Sequence, residues 1–181
     1  MKTLVVVDVQ PAYEGIICFD VCKLVERMRE YERVIIYFNG EEMSCQNLSE
    51  VAEFFFNHGM THEEIDTVQW CEKSYGFLRG WMDTGVPHED IVEVLGRMVE
   101  EGYTDSREFH EEYLHSQGLP IDDCIGFPCF EGDPENVVVD SIVTASTVDI
   151  CGGGRNECLC EMELYFQGLG VDTERVNTFV Y

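Results

Sequence analysis

Two short runs of β-branched and aliphatic residues, Leu4-Val5-Val6-Val7 and Val34-Ile35-Ile36-Tyr37-Phe38, restrict this chain more than any other feature. Both are too continuously apolar for half-exposed strands, whose residues alternate, and too short for buried helices. Each therefore predicts a strand covered on both faces. Between them Ile17, Val21, Leu24, Val25 and Met28 recur at helical spacing. Strand, helix and strand in that order make a βαβ unit, whose sheet is parallel. The first strand reads as Leu4 to Val9, ended by Gln10-Pro11, with Asp8 near its carboxyl end; Asn39-Gly40 closes the second.

The alternation continues. Val51, Ala52 and Phe55 predict a helix ending at Gly59, and Thr61-His62-Glu63-Glu64 has capping-box spacing. Thr67 to Cys71 reads as a third strand with Lys73 just past it, and Phe77, Leu78, Trp81 and Met82 return at helical spacing. Ile91, Val94, Leu95, Met98 and Val99 share one helix face ahead of Gly102. A helix is expected from Ser106 to Gln117, a long loop from Gly118 to Glu135, and a strand at Val137-Val138-Val139. Thr147 to Cys151 reads as a strand running into Gly152-Gly153-Gly154, followed by a helix from Asn156 to Gln167 and a terminal strand from Val176 to Tyr181. The expected fold class is α/β, a three-layer α-β-α arrangement with a mostly parallel sheet, in one domain spanning 1–181.

A net charge of −25 over 181 residues repels phosphate backbones and anionic headgroups. The expectation is accordingly a small-molecule substrate, no nucleic acid and no membrane, with homo-oligomerisation left open. Asp8 cuts the first apolar run before it could serve as a signal segment, so the nine cysteines read as reduced thiols in a cytoplasmic protein. Their spacings lack the paired arrangement of a zinc knuckle, and a helix end at Gly59 separates His58 from His62, so no metal and no cofactor are expected.

In open parallel sheets, ligands collect beyond the carboxyl ends of strands. Three residues with chemistry stand there: Asp8, Lys73 and Cys158. Cys158 falls in the first turn of a helix, where unpaired N–H groups and the helix dipole favour a thiolate, so a nucleophile of lowered pKa is expected. Gly152-Gly153-Gly154 would let the chain turn tightly and aim amide hydrogens at a developing oxyanion. Taken singly, each residue also has a plainer reading: a core thiol, a turn aspartate and a surface lysine.

Together, Val6-Val7-Asp8-Val9-Gln10, Lys73-Ser74-Tyr75-Gly76-Phe77 and Gly152-Gly153-Gly154-Arg155-Asn156-Glu157-Cys158-Leu159 resemble, in order, the three sequence blocks of isochorismatase-like cysteine hydrolases. The resemblance spans roughly 1–82 and 147–181. It implies a Rossmann-like, isochorismatase-like fold and a catalytic triad: Asp8 as general base, Lys73 as the charged partner that orients it and lowers the thiol pKa, and Cys158 as nucleophile. It also implies an oxyanion hole from the backbone N–H groups of Gly154 and Cys158, beside a cis peptide at Gly153-Gly154. Gly153, Gly154, Arg155, Gln10 and Phe77 are the residues it places around the substrate. The Asp-x-His metal motif of the nicotinamidase branch is absent. Arg155 replaces a small or hydroxyl residue, and residues 83–146 read as an acidic insertion that could form a lid.

The activity expected is hydrolysis of a small amide-type (C–N) or related bond by a Cys nucleophile with an Asp/Lys pair, with Arg155 and Arg79 recognising an anionic group. A non-catalytic isochorismatase-like protein, its site blocked by Arg155 and binding a small ligand or a basic protein, is the alternative. A carboxylate-based metal nuclease would need companions for Asp8, with Asp140 and Asp149 the candidates.

Overall fold

The structure is a computed structural model that describes residues 2–40, 47–73, 78–101, 116 and 147–181. The expected elements at 106–117, 118–135 and 137–139 fall outside the described residues but for residue 116, as do Phe77 and Asp140. Five strands form one all-parallel sheet: β1 (Thr3–Val7), β2 (Arg33–Asn39), β3 (Gln69–Lys73), β4 (Thr147–Gly152) and β5 (Asp172–Arg175), in the order β3-β2-β1-β4-β5. β1 is the central strand, pairing Val5 with Ile35 on one side and Ile150 on the other. A strand between two neighbours has no edge to wet, which is why all five of its residues are buried.

Helices cover both faces, and successive β1 side chains point to opposite ones. Leu4 and Val6 pack against α1 (Val21–Met28) and α2 (Leu48–Asn57) through Leu24, Val25, Val51 and Phe55. Val5 and Val7 pack into the opposite core with α4 (Arg79–Thr84), α5 (His88–Glu101) and α6 (Cys158–Gly168), through Trp81, Ile91, Val94, Leu159, Met162 and Phe166. This is the expected three-layer α/β arrangement. Residues 83–101, assigned from sequence to an acidic insertion, belong to it: Ile91, Val94 and Leu95 are buried against α6. A Cβ on Gly168 would stand 2.4 Å from that of Leu95, so glycine permits this close crossing.

Some boundaries differ from expectation. β1 ends at Val7 because Asp8 turns into the left-handed region, with φ 51°. No strand runs from Val176 to Tyr181; β5 is Asp172–Arg175, and Asn177–Phe179 forms a 3-10 turn. The polar alternation of Asp172, Thr173, Glu174 and Arg175 belongs to an edge strand, whereas the apolar Phe179 and Val180 are buried by the turn that follows it.

The capping box at Thr61 is present, opening the short helix α3 (His62–Thr67): Glu64 N–H donates to Thr61 Oγ1, and Thr61 N–H donates to Glu64 Oε2. Arg29 Nε also donates to Glu64, at 2.6 Å. That bond to Arg29, with the Thr61 backbone N–H second, holds the Glu64 carboxyl down at about 2 from its ordinary 4.5. A depressed folded-state pKa stabilises above the ordinary value, and the contribution disappears as pH falls from 4.5 towards about 2. Glu64→Gln should therefore melt below wild type at neutral pH and coincide with it near the acid end of that window. Thermal melts at a series of pH values check this.

Candidate active site

The sheet order reverses between β1 and β4: β2 and β3 lie on one side of β1, and β4 and β5 on the other. The crevice beyond the carboxyl ends at such a switch point is where open α/β sheets bind ligands. Asp8 follows β1 directly and Cys158 follows β4 by six residues, across a glycine turn. The tertiary structure brings Lys73 to them from two strands away.

Asp8 is held at both backbone ends. Its N–H donates to Tyr37 O at 2.9 Å, and its carbonyl accepts from Tyr181 Oη at 2.9 Å. It has the only positive φ among the described non-glycine residues. Lys73 is the last residue of β3, not beyond it, and sits in register with Asn39. Two strand spacings amount to about 10 Å, a gap that the long lysine stem and Asp8 close together. Lys73 Nζ lies 2.7 Å from Asp8 Oδ2, with both side chains fully buried. Burial alone would drive Lys73 towards the neutral amine; attraction by Asp8 reverses this and raises its pKa. The ammonium stays charged.

Cys158 opens α6, is 7% exposed, and faces the pair. Its thiol pKa is raised, not lowered as a helix start predicts. Burial is the main cause, and the nearby Asp8 carboxylate adds to it; Lys73 opposes both without prevailing. The resting group is thus a thiol beside a carboxylate, because a helix terminus cannot offset desolvation and a nearby anion together.

The glycine turn reaches Cys158 without a cis peptide. Gly152 and Gly153 take φ 77° and 56° with the peptides of this turn trans, so two left-handed residues supply the reversal expected of a cis bond at Gly153-Gly154. Gly154 O accepts from Glu157 N–H and Leu159 N–H, whereas the N–H groups of Gly154 and Cys158 have no acceptor among the described residues.

Other expected substrate contacts are spent elsewhere. Gln10 is fully buried, and its amide clasps the end of β2: Nε2 donates to Asn39 O at 2.9 Å, and Oε1 accepts from Asn39 N–H at 2.8 Å. Arg155 is exposed and donates to Asn177 Oδ1 at 2.9 Å, so it does not fill the site. Arg79 Nη2 pairs with Glu157 Oε1 at 2.8 Å. Asp149 bonds Tyr31 Oη and stands beside Lys2, away from Asp8; it pairs in the sheet with Leu4, near the start of β1. Among the described residues no group of three His, Cys, Asp or Glu side chains is placed to hold a metal ion.

Three residues join the site without having been singled out from sequence. Tyr13 Oη accepts from Asn39 Nδ2, and burial, followed by Asp8, pushes its phenol up to about 12. Burial and Asp8 likewise raise Tyr181. Both remain neutral phenols. Glu161, 1% exposed, lies one turn beyond Cys158 on α6. Only Glu161 left a trace in the sequence, as an acid among Leu159, Met162 and Leu164 on a helix with an apolar buried face. Comparison with protein-family models, curated proteins and solved structures yields no match for this chain.

Proposed function

We propose that this chain is a cysteine hydrolase of the isochorismatase-like type, with a Rossmann-like sheet, acting on a small amide-type (C–N) or related bond. One observation carries the reading: a fully buried Asp8–Lys73 pair, 2.7 Å apart, faces a thiol at a helix start within the switch-point crevice. Buried ion pairs are costly unless closely matched, and perturbed ionisable groups in a cleft mark functional sites.

The chemistry follows from the positions. As Cys158 Sγ attacks the carbonyl carbon, Asp8 takes the thiol proton, so the raised thiol pKa is overcome by a base rather than by prior ionisation. The oxygen of the tetrahedral adduct accepts from the Gly154 and Cys158 N–H groups. Asp8 returns its proton to the departing amine, leaving a thioester. Water then gives a proton to Asp8 while attacking the thioester, and Asp8 returns that proton to the leaving sulfur. Lys73 offsets the negative charge throughout. With Arg155 turned to Asn177, the reading of a site blocked by its own arginine loses its structural basis.

Iodoacetamide labelling with peptide mapping tests the nucleophile, and the buried thiols Cys71 and Cys151 are the fair comparison because all three share low exposure. Cys158 should react at least about tenfold faster than either near neutral pH, since Asp8, paired with Lys73, stands ready to take its proton. Asp8→Asn should abolish the difference. A Cys158 rate equal to that of Cys151 overturns the assignment. Ammonia release from a panel of small primary amides, lost in Cys158→Ala, tests the bond class.

A further inference from the structure

Glu161 is not needed by the reaction as written, yet it is buried beside the reacting groups. Neither of its carboxyl oxygens closes a hydrogen bond among the described residues. The charged and polar groups facing it come from every surrounding element: Asp8 after β1, Lys73 at the end of β3, the Leu78 N–H and Arg79 at the start of α4, and Cys158 on its own helix. Arg79 is engaged with Glu157 at the rim. Asp8 and Lys73 already balance one another. A second ionised carboxyl would leave the buried cluster with one uncompensated charge in excess, which burial strongly disfavours.

We propose that Glu161 is a proton-holding positioning residue of this site, a neutral acid one turn behind Cys158 that keeps the Lys73 ammonium on Asp8. If it ionised, Lys73 would be shared between two carboxylates, Asp8 would lose its counter-charge, and the added negative charge would oppose formation of sulfur anion at Cys158. Burial, the largest influence, acts with Asp8 to raise the Glu161 pKa, and together they outweigh Lys73, the Leu78 N–H and Arg79, which favour the carboxylate. This role rests on the cysteine-hydrolase reading and concerns the charge state in which that site works.

The test is the pH dependence of Cys158 alkylation in intact wild type and Glu161→Gln, which retains shape and hydrogen-bonding capacity but cannot ionise. Both rates should rise with pH. The wild-type curve should flatten on the alkaline side, where Glu161 gives up its proton, while the variant continues upward and becomes about tenfold faster, equivalent to about one pH unit of thiol titration. Parallel curves across the whole range overturn the proposal. Infrared spectra of wild type carrying carboxyl-labelled glutamate give a reading independent of how the variant folds. At neutral pH an isotope-shifted band of a protonated buried carboxylic acid is expected, and its absence overturns the proposal. A Cys158 that resists alkylation at every pH would instead remove the hydrolase reading, with the infrared band still deciding the state of Glu161.

Discussion

Lys73→Met and Asp8→Asn should each lower the unfolding free energy by about 3–5 kcal/mol, because each leaves one fully buried charge without its partner. The double variant Asp8→Asn/Lys73→Met should lose less than either single variant, since no buried charge remains to be compensated. Asparagine is the right replacement at position 8 because it tolerates the φ of 51° better than any branched residue. All three variants should lack turnover, so stability returns in the double variant while chemistry does not. Urea melts provide the stabilities; single-variant losses that simply add would show that the pair is not coupled. Sequence alone suggests that Asp8→Asn and Lys73→Ala would spare the fold, but complete burial of both side chains makes the pair a structural element whatever its part in the proposed chemistry. The pH dependence has a definite sign. Lys73 is raised above its ordinary value, so its contribution is complete below that value and is lost only as pH climbs through the folded-state pKa.

Among the described glycines, Gly152→Ala should be the most damaging substitution, costing about 3–5 kcal/mol from overpacking and left-handed strain combined. Its Cβ would stand 2.2 Å from Val7 O and 2.8 Å from Val9 Cγ2, at a φ of 77°. The Val7 carbonyl belongs to the neighbouring parallel strand, in register with Gly152, and cannot retreat without opening the sheet beside Asp8. Gly153→Ala should cost less: its φ of 56° is close to the left-handed minimum, and its nearest contact is 2.9 Å, to Leu159 N. Melts of the two variants check the order. If Gly153→Ala proved the worse, close approach of β1 to β4 would not be what position 152 requires.

The sheet was legible because β1 and β2 carry unbroken apolar runs, and only strands covered on both faces need them. The helix at 91–99 was legible from its apolar period, and α3 from its capping box, since both signals act within a few residues. The terminal strand was misread because apolar content at Val176–Tyr181 reports burial, which a 3-10 turn against the core satisfies as well as a strand does. Asp8, Lys73 and Cys158 were legible as strand-end and helix-start residues, in an order resembling a known set of blocks. Their protonation was not. The helix-start rule predicts a thiolate, whereas desolvation and Asp8, contributed by a different strand, keep the thiol protonated. Glu161, Tyr13 and Tyr181 entered the site, and Gln10 and Arg155 were committed elsewhere, for the same reason. Local pattern determined which residues stand at the ends of elements. Which of them share one desolvated pocket, and which charge each carries there, depends on contacts between segments up to 173 residues apart, such as Tyr181 with Asp8, and only the tertiary structure decides those.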